Sequence, residues 1–196
     1  MCYSIQELFY CPIPRALVHN IHTSTLVFNI AQFFPLLNHQ LLLRILRKVD
    51  FDSRISNFFS SYLINKQTQY IWNHFISPFS KANIGMGQRS TLSPILSTLY
   101  VAPIFHIFEK RSKNLLTPIP VSILSFVNNG LFVSQEKSYE KSNTSFFYSY
   151  SIISSLFNQF GLVIKHDKSE VFHFLRSTKN NNSSPLTLGP LGGSLL

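Results

Sequence analysis

Acidic residues are scarce in this chain. Eight Asp and Glu stand against seventeen Lys and Arg over 196 residues, and only three are Asp: Asp50, Asp52 and Asp167. Glycine (7) and alanine (4) are also few, whereas Phe (19) and Asn (15) are abundant. Two cysteines, Cys2 and Cys11, exclude a disulfide framework. Together with His19 and His22 they match no standard zinc spacing. No basic segment followed by a clean apolar stretch opens the chain, so no signal peptide is expected. A charge-free run, Ser90 to Phe108, approaches membrane-spanning length. Pro94, Pro103, His106 and several hydroxyls make it read better as a buried helix, and no membrane partner is expected. There is no internal repeat and no sign of a small-molecule partner.

The net charge is +9 and the pI about 9.7. A basic balance permits nucleic-acid binding without specifying it. The densest patches are only Arg44, Arg47, Lys48 and Lys110, Arg111, Lys113. Phe, Ile, Asn, Lys and Tyr have AT-rich codons and Gly and Ala GC-rich ones, so part of the charge reflects mutational drift. A hydrophobic fraction of 45% suffices for one globular core.

The apolar pattern orders the elements. Thr25–Ile30 reads as a buried strand. Asn38 caps a helix to about Val49, with Leu41, Leu42, Ile45, Leu46 and Val49 on one face. Asp52 caps a second, carrying Ile55, Phe58, Phe59, Tyr62 and Leu63. Weak strands over Gln67–His74 and Phe79–Gly85 would pair. Ser90 or Thr91 opens a long helix to about Lys113. Val121–Val127 and Leu131–Ser134 form a hairpin, with Asn129-Gly130 suited to a turn of positive φ. A polar linker, Gln135–Asn143, precedes a helix to Phe160, which Gly161 stops. Leu162–Ile164 and Val171–Phe174 read as two short strands. From Ser177 the chain reads as loop or disorder. The order is β-αα-ββ-α-ββ-α-ββ, an α+β pattern. The domains expected are a divergent segment 1–22, one domain over 23–176 and a tail over 177–196.

Four segments in this order resemble the palm of a reverse transcriptase, of the kind carried by non-LTR (LINE-type) retrotransposons. In FNIAQFF (Phe28–Phe34), the family's metal-binding Asp falls on Asn29 and its aromatic gate against a ribose 2′-OH on Phe34. GMGQRSTLSP (Gly85–Pro94) is similar to the family's Gly-x-x-Gln-Gly-x-x-x-Ser-Pro. Gly85, Gln88, Ser93 and Pro94 match, and Arg89 replaces the second Gly; the motif holds template and incoming nucleotide. FVNNG (Phe126–Gly130) looks like the hairpin that carries an Asp pair, here Asn128 and Asn129. GLVIKHDKSE (Gly161–Glu170) resembles the segment whose Lys, here Lys168, lies near the departing pyrophosphate. Outside this pattern, Phe33 and Phe34 would be core aromatics, Lys168 a surface lysine and the Asn pair a turn. His39, His106 and His173 read as core or surface residues rather than ligands.

The resemblance implies a palm-like antiparallel sheet backed by helices, with incomplete fingers, no thumb, and no endonuclease or RNase H segment. It implies RNA template and DNA primer as partners and two Mg²⁺ ions that clamp the attacking hydroxyl and the leaving pyrophosphate; with no signal peptide or membrane span read in the sequence, an intracellular location is expected. Mg²⁺ is hard and wants anionic oxygen. An Asn offers one neutral carbonyl oxygen and an amino group that points donors at a cation. All three family carboxylates are amides here, so the expectation is a palm that binds no Mg²⁺ and does not polymerise. Glu109, Asp167 and Glu170, the nearest carboxylates, lie outside the metal motifs. Asp to Asn and Gly to Arg are each a single G-to-A transition, a pattern of retroelement decay expected of fungal genome defence. The alternatives are a non-catalytic nucleic-acid-binding remnant and a pseudogene product without function.

Overall fold

Strand β1, His22–Ala31, is the hub of the fold. Leu26, Phe28 and Ile30 alternate along it and are fully or almost fully buried. Val27 and Asn29 point to the opposite face, because side chains alternate along a strand. The computed structural model describes residues 22–49, 51–87, 90–114 and 119–174. Cys2, Cys11, His19, Gln88, Arg89 and the tail from Ser177 lie outside them.

The described residues divide between two compact units, one drawn from 22–31, 104–159 and 163–174, the other from 32–103 and 160–162. The first is built on a fully antiparallel four-stranded sheet in the order β6-β7-β1-β8. Its other strands are β6 (Val121–Phe126), β7 (Asn129–Glu136) and β8 (Val163–Phe174). One face is covered by helix α5 (Tyr139–Gln159) and by the second half of α4 (Ser93–Lys113). Along α5, Phe146, Tyr150, Ile153 and Phe157 recur at three- and four-residue spacing, the apolar stripe of a packed helix. Phe28 meets Phe132, Tyr150 and Phe157 with ring centroids 5.2, 6.4 and 6.2 Å away. Phe108 of α4 meets Phe132 at 5.4 Å. This aromatic cluster explains what the abundant Phe is for in this unit.

In the second unit lie α1 (Phe33–Leu36), α2 (His39–Lys48), α3 (Ser53–Leu63) and the first half of α4. Asn38 caps α2 by accepting from Leu41 N–H at 3.0 Å, and Asp52 caps α3 by accepting from Arg54 N–H at 2.8 Å. Both caps are the expected ones. The buried face of α2 is His39, Leu42, Ile45 and Leu46, while Val49 is exposed; α3 buries only Phe59 and Leu63. Pro103 falls within α4, where its missing N–H interrupts the helix ladder. The two units divide at that residue.

Four expectations needed correction. Gln67–Thr68 (β2) does pair with Ser80–Lys81 (β5), but a second hairpin, Ile71–Trp72 (β3) with Phe75–Ile76 (β4), stands between them. Helix α4 begins at Ser93, two to three residues late, and α5 begins at Tyr139, within the polar stretch taken for a linker. The last two strands are one: β8 runs unbroken from Val163. Its polar middle is absorbed by an irregularity, since Val27 pairs with Glu170 but Asn29 with Lys165, so His166–Ser169 lie opposite Phe28 alone. Tyr150 Oη and His166 Nδ1, 2.6 Å apart, tie that bulge to α5.

The fourth correction concerns the hairpin tip. Its two turn residues are Val127 and Asn128, not Asn129-Gly130, because Asn129 already pairs with Phe126 and Gly130 with Ser125. The positive φ falls on Val127, at 56°, a strained conformation for a β-branched residue. Gly130 serves another purpose. A Cβ there would stand 2.1 Å from the Phe28 ring that lies over it, so the glycine makes room for the core aromatic.

Candidate functional site

The sheet brings two of the three amide positions together. Asn29 and Asn129 are direct register partners on β1 and β7, and Asn29 Nδ2 donates to Asn129 Oδ1 at 2.8 Å. Asn129 is exposed and Asn29 half-buried. Asn128 is set one residue earlier, in the turn, and its carbonyl accepts from Ile30 N–H at 2.8 Å. That bond fastens the tip to β1, so local turn and sheet register together fix where the amides stand.

On its other side Asn29 is paired with Lys165 of β8. The resemblance singles out Lys168, as the lysine near the departing pyrophosphate. Lys168 lies in the irregular stretch opposite Phe28 and is exposed, whereas Lys165, three residues earlier, borders the amides. Counting through the bulge could not have found it, because the register shift is a property of the pairing. Lys165 Nζ lies 3.7 Å from Asp167 Oδ2, an exposed ion pair that contributes little to stability. At the other end of the row Phe126 pairs with Asn129 and is 66% exposed. One transverse row on the face opposite Phe28 therefore reads Phe126, Asn129, Asn29, Lys165.

This donor set does not fit Mg²⁺. The contact between the two central residues is an amide N–H donated to an amide oxygen, which puts a donor hydrogen where a cation would need a lone pair. The next neighbour is an ammonium. Among the described residues there is no group of three or more His, Cys, Asp or Glu that could hold a metal ion. Asp167 is engaged with Lys165, outside the amide pair.

In the second unit the first two motif segments meet. Met86 N–H donates to the Phe34 carbonyl at 2.9 Å, and Gly85 N–H to the Leu37 carbonyl at 2.8 Å. The buried His39 joins them, its Nε2 lying 2.6 Å from the Gly85 carbonyl. Gly85 has φ +85° and its Cα faces the Pro35 carbonyl closely, so a side chain there would be strained twice over. Phe33 is buried and Phe34 half-exposed, which separates the pair into a core residue and a surface one. Ser93 is fully buried, and its Oγ donates to the Gly87 carbonyl at 2.6 Å. Pro94, next to it in the first turn of α4, lends its carbonyl to Ser97 and Thr98. Ser93 thus ties the loop that carries the second segment to the start of α4.

A third polar cluster went unnoticed in the sequence. Ser24 Oγ lies 2.7 Å from His173 Nδ1, and the Tyr139 ring packs between His173 and His22, with centroids 4.6 and 4.5 Å away. Burial, and then the nearby His22, push the His173 imidazole below its usual pKa. Residues 24 and 173 are far apart in the chain, and only the β1–β8 register makes them neighbours.

No protein-family model matches the chain, and no curated protein does. Solved structures match it. The telomerase of Candida tropicalis, in complex with a TWJ fragment of telomeric RNA, has a TM-score of 0.64 at 13% identity, over 94% of this chain and 31% of that one. The corresponding telomerase complex of Candida albicans gives 0.63 at 10%, over 97% and 32%. An insertion-loop deletion mutant of the RNA-dependent RNA polymerase of a human picobirnavirus gives 0.52 at 14%, over 86% and 29%. This chain spans about a third of the length of each. At such identities the likeness is one of fold. The antiparallel sheet backed by helices is that of a polymerase palm. Among the described residues no helix is long and apolar enough to cross a membrane.

Proposed function

We infer that the chain is a reverse-transcriptase-type palm, of the kind carried by non-LTR retrotransposons, that does not catalyse nucleotidyl transfer. The four motif segments support the retrotransposon kinship, since they occur along the chain in the family's order. The observation that carries the loss of catalysis is the 2.8 Å hydrogen bond between Asn29 and Asn129. Nucleotidyl transfer of this family runs through two Mg²⁺ ions. An amide pair satisfied by its own internal hydrogen bond offers such ions no anionic oxygen. The test is Mg²⁺-dependent primer extension on an RNA template with purified protein. The expected result is no incorporation above a protein-free control. Protein-dependent extension that disappears in Phe34→Ala would overturn the inference. Decay by G-to-A transition is tested on the nucleotide sequence: this copy should show an excess of such transitions against active relatives, and its absence overturns the idea.

A remaining contact with nucleic acid is the second part of this reading. It is supported by the charge distribution: Ser53 to Phe108 contains no Asp or Glu while carrying Arg54, Lys66, Lys81 and Arg89. A telomerase of the same fold holds RNA. Binding to a primer–template duplex should weaken steeply with salt, as counterion release requires. Absence of binding at about 50–100 mM salt, where such contacts are strong, removes this part alone.

A further inference from the structure

The amide pair has more hydrogen-bonding capacity than it uses. The bond from Asn29 Nδ2 to Asn129 Oδ1 leaves the Asn29 carbonyl oxygen as an acceptor and the Asn129 amino group as a donor. Among the described residues, no other hydrogen bond involves either side chain. An unused acceptor and an unused donor therefore lie at the hairpin end of that sheet face, where Asn129 and Phe126 are exposed, while Leu124, Val133 and Thr25 farther along it are buried. Beside them, one strand over, is the exposed Phe126 ring. Neighbouring strands are about 4.8 Å apart, so the ring stands about one spacing from Asn129 and about two, roughly 10 Å, from Asn29. Lys165, with 43% of its side chain exposed, closes the row on the far side.

We propose that this row binds an unpaired nucleobase: the base stacks on Phe126 and its edge hydrogen-bonds to the Asn29–Asn129 pair. The inference rests on the reading that the amides hold no metal, because a bound cation would occupy the same oxygen. Each component has its own chemical reason. A phenyl ring with an open face is a stacking platform for any base. A neighbouring amide acceptor and donor match the N6–H donor and N7 acceptor of adenine. Aromatic side chains on a four-stranded sheet stack single-stranded bases in one common RNA-binding module. A duplex hides its base faces, so the occupant is unpaired. The chain's charge of +9 attracts a polyanion, and Lys165 offers it a cation at the row's end. Asp167 partly offsets Lys165, so the site's discrimination comes from stacking and base-edge contacts rather than from phosphate.

The test uses the full chain and a fluorescently labelled ten-nucleotide oligo(rA), with anisotropy read in EDTA at about 100 mM salt. Phe126→Ala removes an exposed ring and leaves the core untouched; it should weaken binding roughly 5- to 150-fold, the range for losing one stacked base. Asn129→Ala should narrow the preference for oligo(rA) over oligo(rU) while retaining part of the affinity. Trp72→Ala, in the exposed β3–β4 hairpin, should leave binding unchanged. The proposal fails if the wild-type chain binds a duplex of equal length as tightly, binds no single strand, or if Trp72→Ala lowers binding while Phe126→Ala does not. These outcomes are separate from failure of the underlying reading, which is seen as Mg²⁺-dependent primer extension or calorimetric Mg²⁺ uptake by the wild-type chain.

Discussion

Replacing Gly130 by Ala should destabilise the fold through Phe28. An ideal Cβ on Gly130 lies 2.1, 2.3 and 2.7 Å from three carbons of the Phe28 ring. Ordinary contact begins near 3.4 Å, so the ring would have to retreat by more than an ångström. It has nowhere to go: Phe28 is fully buried, and Phe132, Tyr150 and Phe157 enclose it. Overpacking of a core of this kind costs roughly 1–3 kcal/mol. For a chain of this size that is a fall in Tm of roughly 2–12 °C. The assay is thermal unfolding of Gly130→Ala in the wild-type and Phe28→Leu backgrounds. In the second background the branched aliphatic chain leaves space, so the added cost of Gly130→Ala should shrink by more than half. The two substitutions are coupled, as contacting residues are. If Gly130→Ala leaves the Tm within about 1 °C of wild type (well under the shift for 1 kcal/mol), the steric argument is wrong. If the loss is the same in both backgrounds, the glycine serves backbone conformation rather than space.

Three other outcomes follow from the same structure. Val127→Gly should raise stability by up to about 1 kcal/mol in chemical denaturation, since a left-handed β-branched residue costs about 1–2 kcal/mol and a glycine's added entropy offsets part of that. Asn38→Ala and Asp52→Ala should each lose about 1 kcal/mol, the usual value of a helix N-cap, read as a lower denaturation midpoint at unchanged slope. His173 is held below its ordinary pKa by burial, so the unfolded chain takes up its proton first. Stability should therefore fall as the pH drops from about 6.5 toward the folded pKa, and be complete above that window. In His173→Gln this dependence should be reduced, with the residue's other neighbours unchanged.

The sequence carried the fold where local signals and tertiary demands agreed. Asn38 and Asp52 sit where a helix needs an oxygen for its first free N–H groups, and both are caps in the structure. The short apolar run Thr25–Ile30 marked the buried strand that became β1. What escaped was set by pairing between distant segments. The KHDKSE stretch looks like a loop, yet it is carried in β8 because Asn29 and Val27 pair on either side of it and His166 is held by Tyr150. Asn129-Gly130 is a good turn by local rules, but the Phe28 ring claims the space over Gly130, and the tip moved to Val127–Asn128. The candidate site was legible in part. Asn29 and Asn129 were found through the order of motifs, and the sheet joins them. Lys165 was not, since its place beside Asn29 depends on a register shift that no spacing reveals. The β3–β4 hairpin was missed because Ile71, Trp72, Phe75 and Ile76 are all exposed, the reverse of what apolar residues lead one to expect.

The central claim is that amides at positions 29, 128 and 129 leave this palm without a metal site. Calorimetric titration of Mg²⁺ into the wild-type chain and into Asn29→Asp/Asn128→Asp/Asn129→Asp tests it directly. In the variant, carboxylates meet where the amides now lie 2.8 Å apart; their repulsion is relieved by a divalent cation, so it should take up Mg²⁺ and gain thermal stability on doing so. The wild-type chain should give no binding heat and no change in Tm at the same concentrations. Saturable Mg²⁺ binding by the wild-type chain, equal to that of the variant, would contradict the account.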